Sequence, residues 1–137
     1  MEKGIHLSIV TPDDIVFDAP VEYVGIPGTL GDFGVFPGHA ALLSSLRIGS
    51  VSYKEEGRTV NVFVSGGFVD VTKESVTVLA DVATPADLID VDRATRAKER
   101  AEARLASKAD DVDEARAQAA LNRAIARLSI AASLSGK

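Results

Sequence analysis

The sequence predicts a two-part α+β chain: an antiparallel β-sandwich or flattened barrel over residues 1–86, then an antiparallel α-helical hairpin over residues 87–137. Three observations carry this. Of the 11 glycines, all but Gly136 precede Ala86. Short β-branched runs fill the first part, whereas the second is rich in Ala, Arg and Glu. Charge divides at the same place: residues 1–86 hold 11 acids and 5 bases, residues 87–137 hold 9 acids and 10 bases, and together they give the formal net charge of −5.

In chain order, short strands are expected at Ile5–Val10, Ile15–Asp18 and Glu22–Pro27. Gly28-x-x-Gly31-x-x-Gly34 follows and reads as a tight strand connection needing positive φ. Val35-Phe36-Pro37 comes next instead of a helix start with Lys-Ser/Thr, so the stretch is neither a phosphate loop nor a dinucleotide fingerprint. Ser50–Tyr53 and Val60–Val64 flank Lys54–Thr59, where Gly57 suits a hairpin turn. Val60, Val62 and Val64 alternate with Asn61, Phe63 and Ser65, the period of a strand with one buried face. The turn Lys73-Glu74-Ser75 leads into the strand Val76–Ala80. Six to ten such strands without helical crossovers argue for a sandwich or barrel and against a parallel α/β sheet.

Pro85, within Thr84–Asp87, is the expected hinge between the parts. Asp90 is an expected N-cap, with Asp92 in the first turn of a helix reaching about Lys108. Ala109-Asp110-Asp111 breaks that run, and Asp110 or Asp111 is the expected cap of a second helix through about Ser133. The short connection makes the helices antiparallel. Ala94, Ala97, Ala101 and Leu105 form the expected seam of the first helix, and Leu121, Ile125, Leu128 and Ala132 that of the second. An alanine seam allows close approach but buries little area, so the hairpin is expected to be weakly held.

Composition excludes several functions. The 137 residues suffice for one domain, or a small domain with an appendage, and for a core without staples. With no Cys, a disulfide scaffold, a thiolate metal site and cysteine catalysis are ruled out. A pI near 5.0 argues against a general nucleic-acid binder. No run has the length of a membrane span, and Met1–Thr11 lacks the layout of a signal peptide, so a soluble intracellular protein is expected. His39 has no companion Ser or Cys elbow and reads as structural; His6 reads as a strand-face residue, and the two do not make a metal site. Asp13-Asp14 and Asp110-Asp111 read as turn and cap residues. No catalytic constellation and no metal site is expected.

The arginines are more informative. Arg93, Arg100 and Arg104 are spaced i, i+7, i+11 and share one helical stripe; Arg116, Arg123 and Arg127 repeat the spacing on the second helix, opposite its expected Leu/Ile seam. A solvated basic face accounts for the first helix, where Glu99 and Glu102 lie near the arginines. On the second helix nothing acidic follows Glu114, and a polyanionic ligand or an acidic partner surface is the competing reading.

Gly31-Asp32-Phe33-Gly34-Val35-Phe36-Pro37-Gly38-His39-Ala40 resembles the G-x-x-G-x-x-P-G-H-A stretch of the bacterial ATP synthase epsilon subunits. Val64-Ser65-Gly66-Gly67-Phe68 and Val76-Thr77-Val78-Leu79-Ala80-Asp81 resemble that family's strand segments in the same order. The resemblance runs from His6-Leu7 to Arg127-Leu128-Ser129. It implies a non-catalytic central-stalk subunit of a proton-translocating rotary ATP synthase, peripheral to the cytoplasmic face of the bacterial membrane, with no required cofactor. The implied partners are the gamma subunit, the c-subunit ring and the alpha and beta subunits of the catalytic head; nucleic acid is not among them, and the membrane is met only through the complex. The hairpin would fold compactly, or extend into the head and block ATP hydrolysis. Gly31, Asp32 and His39 would face the c ring, and Arg116, Arg123 and Arg127 an acidic segment of beta.

Some members of the family bind ATP as a regulatory ligand through an I/L-D-x-x-R-A motif, which Ile89-Asp90-Val91-Asp92-Arg93-Ala94 matches. Arg100, Arg123 and Arg127 stand where such members place further arginines, and Thr84 stands where some carry glutamate. The implied ligand would bridge both helices and hold the compact state. A free-standing ATP-sensing module outside a rotary complex is the alternative, distinguished by its having no need of the Gly31–Ala40 stretch.

Overall fold

The computed structural model describes residues 4–107 and 113–134, which fold as two compact units divided between Pro85 and Ala86. The first unit contains eight strands: β1 (Ile5–Val10), β2 (Ile15–Val21), β3 (Tyr23–Gly28), β4 (Gly31–Val35), β5 (Leu42–Ser45), β6 (Gly49–Glu55), β7 (Arg58–Val71) and β8 (Ser75–Pro85). They form one sheet in the order β2-β1-β8-β7-β6-β3-β4, with β5 on β7. The sheet turns back on itself along the two long strands β7 and β8. One edge of β7 carries β6 along Arg58–Val64 and β5 along Phe68–Val71, while the other carries β8 from Val62 to Val71.

Alternation explains which way each strand faces. Ile5, Leu7 and Ile9 of β1 are fully buried while His6 is exposed, as a period of two requires. Val60, Val62 and Val64 share the core with Val24, Ile26, Val51, Val69, Val71, Val76 and Val78. Phe17 of β2 meets Tyr53 of β6, ring centroids 4.3 Å apart, although those strands are not neighbours in the sheet. That contact joins the two layers across the core. The β6–β7 hairpin closes over Glu56 and Gly57, whose φ angles of 52° and 78° are those of a type I′ turn matching the strand twist.

Two features of the sheet depart from expectation. It is not wholly antiparallel: β1 runs parallel to β8, from His6 opposite Ser75 to Val10 opposite Leu79. A parallel pair needs a long crossover, and here β2 to β7 serve as the crossover in place of a helix. Thr84 and Pro85, expected in the hinge, are instead the paired end of β8, opposite Phe63 and Val62. The connection is a 3-10 turn, Ala86–Leu88.

The second unit holds that turn and two helices, α1 (Val91–Ser107) and α2 (Glu114–Ala132). Asp90 caps α1, its Oδ1 accepting from the Arg93 N–H at 3.0 Å. The cap of α2 is Asp113, accepting from the Arg116 N–H at 3.1 Å; Asp110 and Asp111, the expected caps, lie outside the described residues. The helix seam also differs. Ala94 and Ala101 are buried on α1, and Ala117, Ala124 and Ile130 on α2, the alanines of each helix seven residues apart. Ile125 is 47% exposed and Ala132 is exposed, whereas Ala97, Leu105, Leu121 and Leu128 are half-buried flanks. Helix backbones approach most closely where side chains are smallest, so the contact line follows alanine and displaces larger residues to its sides. Among the described residues no helix is long and apolar enough to cross a membrane.

Two predictions follow from this packing. Ala124→Leu should wedge the helices apart and cost about 1–3 kcal/mol, whereas Ile125→Ala should cost under about 1 kcal/mol because that side chain is half in water. Urea unfolding followed by helical circular dichroism ranks them, and a larger loss for Ile125→Ala would refute the alanine seam. The second concerns Asp18. Its carboxyl is held below its ordinary value of 3.8 by hydrogen bonds from His6 and Ser8. A depressed carboxyl stabilises the fold above its unfolded-state value and loses that contribution as pH falls through the folded one. NMR titration should place Asp18 below 3.8 and move it upward in His6→Ala and Ser8→Ala; no movement in either would exclude these bonds as the cause.

Candidate functional site

The hairpin gathers much of the charge that the sequence singles out. Asp90 and Arg93 open α1. Asp90 is exposed, with Oδ1 engaged in the cap, and Arg93 is exposed in the first turn. Ile89 is half-buried just before them, its N–H donating to the Ala86 carbonyl at 3.3 Å. Ala94 is 4% exposed within the alanine seam, so packing alone requires a small residue there. Because the helices are antiparallel, the start of α1 meets the later half of α2. Arg127, half-buried there, has its pKa lowered by burial, then by the charge of Arg123, then by that of Arg93.

Three arginines from two helices therefore converge closely enough to feel one another. Arg123 and Arg127 do not lie opposite the packed face, as expected from the leucine seam. They are half-buried on the flank of the alanine seam, one residue and three residues round the helix from Ala124. Arg100 is exposed two turns beyond Arg93 and is not among the charges that shift Arg127. Arg116 is exposed at the opposite end of α2. Chemically, the converging guanidiniums offer several planar donor forks to a multiply charged anion, which would relieve their mutual repulsion.

The second group lies on the sandwich. Part of the glycine-rich stretch expected as a connection is strand β4, which forms a tight hairpin with β3 over Thr29-Leu30, Gly28 opposite Gly31. Only Gly31 of the three glycines has positive φ, 140°. Gly34 instead leaves room for the Tyr23 ring, which a Cβ there would strike. Leu30 stands fully exposed at the tip. Asp32 is paired with Arg47, at 2.5 Å from its Nη2. His39 belongs to a separate loop, where its Nδ1–H donates to the Ala40 carbonyl at 2.7 Å and its N–H to Phe36 at 3.1 Å. Two hollows, about 310 and 590 Å3, also lie in this unit, the smaller beside Asp32 and Tyr23.

Sequence reasoning missed three features: Leu30, Arg47 and an outward apolar strip. In the strip, Val10 pairs with Leu79 and Leu79 with Phe68. Ile15 flanks Val10 and Leu43 lies on neighbouring β5. Leu79, Phe68, Ile15 and Leu43 are all at least half exposed. Four strands thus put large apolar side chains into water on one face, with half-buried Val10 of β1 among them, an arrangement typical of a covered surface. Arg47 is the one base between Gly4 and Tyr53, a signal available in the sequence; the strip depends on cross-strand register and is not.

The family model for the ATP synthase, Delta/Epsilon chain, beta-sandwich domain matches residues 4–86, and that for the long alpha-helix domain of the same chain matches residues 87–132. The ATP synthase epsilon chain of Nitratidesulfovibrio vulgaris (strain DP4) is 57% identical over 105 residues, covering 77% of this chain and 78% of that protein. The epsilon chain of Bacillus subtilis (strain 168) is 46% identical over 103 residues, 75% of this chain and 78% of that one. Among solved structures, a chain of the Euglena gracilis mitochondrial ATP synthase (OSCP/F1/c-ring) matches with a TM-score of 0.81 at 26% identity, covering 98% of this chain and 83% of that one. A chain from the central stalk/c-ring of the Tetrahymena thermophila mitochondrial ATP synthase matches with a TM-score of 0.61 at 9% identity over 98% of both, a likeness of fold alone. With the sandwich and the helical hairpin each matched and bacterial epsilon chains this similar, the chain belongs to the ATP synthase delta/epsilon family, as an epsilon subunit of the F-type central stalk.

Proposed function

We propose that this subunit couples stalk rotation to ATP synthesis and restrains ATP hydrolysis through its hairpin, which bound ATP holds in the compact state. The observation that carries the regulatory part is the convergence of Arg93, Arg123 and Arg127, with Arg127 depressed by burial and by the other two. The phosphates of ATP would neutralise this cluster, and Arg100 would extend it along α1. The second carboxylate oxygen of Asp90 would accept from the adenine amino group, beside Ile89 and Ala94. ATP is then a regulatory ligand, and catalysis belongs to other subunits.

The switch follows from using the same arginines twice. Opening the hairpin separates Arg93 from Arg123 and Arg127, which dismantles the nucleotide site. It also frees Arg123 and Arg127, with Arg116, to meet an acidic segment of beta in the alpha–beta head. A ligand bound by one state only shifts the balance, tenfold for each 1.4 kcal/mol or so of preference. On the sandwich, the strip Val10, Leu79, Phe68 and Leu43 would dock the gamma subunit, and Gly31 and Asp32, with the His39 loop, the c ring. This assembly puts the subunit at the cytoplasmic face of the membrane, held there through the complex.

Two experiments test the reading. Arg127→Ala and Arg123→Ala should each weaken ATP binding by the isolated chain about tenfold or more, the worth of a charge-assisted hydrogen bond; calorimetric affinities equal to the parent in both would refute the nucleotide site. Phe68→Asp and Leu79→Asp should fold normally, since both side chains already face water, yet lose about thirtyfold or more in affinity for gamma, as expected at the centre of an interface. Undiminished co-purification of both variants with gamma would exclude this face.

A further inference from the structure

Arg47 makes three interactions that converge on the β3–β4 hairpin. Its backbone N–H donates to the Pro27 carbonyl at 2.9 Å. Its Nη1 donates to the Ile48 carbonyl at 3.0 Å, and its Nη2 to Asp32 Oδ1. Pro27 and Asp32 are cross-strand partners, so a single residue outside the hairpin holds both of its strands just below the tip. Pro27 has an acceptor but no N–H to return, so the backbone link between Arg47 and Pro27 is that single bond. Gly49 fits the arrangement: a Cβ there would come within 3.0 Å of Arg47 Nη1. Beyond the pair stands Leu30, fully exposed.

We infer that Arg47 is a positioning residue for the tip: it fixes the Asp32 carboxylate, offsets its charge, and so presents Leu30 beside a held polar acceptor instead of a mobile anion. Among the described residues no donor reaches Asp32 Oδ2, which leaves that oxygen for a partner. The surface that fits is a loop offering one apolar contact for Leu30 and one hydrogen-bond donor for Oδ2. This rests on the reading of the tip as the c-ring contact.

The test uses the full chain and its complex with gamma and the c ring. In the isolated chain, Arg47→Ala should speed amide hydrogen exchange of Gly31 and Phe33 about twofold to fivefold, the range for loss of one exposed ion pair, with exchange in β7 and β8 unchanged. Arg47→Lys should restore part of the protection, since Lys keeps the charge but not the fork. In the complex, Arg47→Ala should weaken association by a similar factor, in the same direction as Asp32→Asn. Parental exchange at the tip in Arg47→Ala, or parental association of Arg47→Ala while Asp32→Asn is impaired, would overturn the assignment. Parental association of both Asp32→Asn and Leu30→Ser would instead remove the c-ring reading of the tip, and the exchange rates would still decide whether Arg47 positions Asp32.

Discussion

The pairing of β7 with β8 is the constraint on which the sandwich depends. Their register holds without a shift from Val62 opposite Pro85 to Val71 opposite Val76, interrupted at Gly66 and Asp81, and every remaining strand attaches to one of them directly or through intervening strands. Such a long ribbon can serve two layers only if it bends. The bend falls at Gly66 and Gly67, with φ of 74° and 110°. A Cβ at Gly67 would run into the Leu79 carbonyl, so close approach and backbone conformation both require glycine. The bend lets Val62 and Val64 share a core with Val69 and Val71, and it turns Phe68 and Leu79 outward together.

The two units are held by different amounts of the same force. Fully burying a Val, Leu or Ile side chain contributes roughly 1.5–3 kcal/mol, and the sandwich core is built almost wholly from such residues. The helices bury Ala94, Ala101, Ala117 and Ala124, each contributing little more than a methyl group, about 0.8 kcal/mol, and one large side chain, Ile130. The charges of Arg123 and Arg93 also lower the pKa of the half-buried Arg127. A rigid platform and a marginal appendage thus arise in one chain from side-chain size and charge placement, without any special linker chemistry.

Much of the fold is legible in the sequence because its signals are local. Ile5, Leu7 and Ile9 announce β1 by alternation, Gly57 marks the hairpin turn between β6 and β7, and Asp90 precedes a run of good helix formers. The signals fail where residues compete or where distant parts meet. Asp110, Asp111 and Asp113 are all competent caps, and no local rule chooses Asp113. A helical wheel ranks residues by hydrophobicity and so favours Leu121 and Ile125, whereas close packing of antiparallel helices ranks them by size and favours Ala117 and Ala124. That choice rotates α2 and brings Arg123 and Arg127 to the flank of the interface. The spacing of each arginine stripe can be read from the sequence; the convergence of Arg93 with Arg127 needs the hairpin. Likewise Asp32 is visible as an acid in a glycine-rich stretch, but its link to Arg47, 15 positions on, depends on the sheet.

The parallel pairing of β1 with β8 has a consequence for how the protein comes into being. His6 pairs with Ser75, 69 positions further along the chain, so a strand made early in synthesis waits for one of the last strands before it has its inner neighbour. Contacts this distant in sequence carry a large loop-closure cost and slow folding. Until β8 emerges from the ribosome, β1 and β2 have only each other, and a two-stranded hairpin alone is marginal in water. The sandwich therefore closes cooperatively at about the time the first helix begins to emerge, and the interval before that is when an unpaired β1 edge is open to association with other chains.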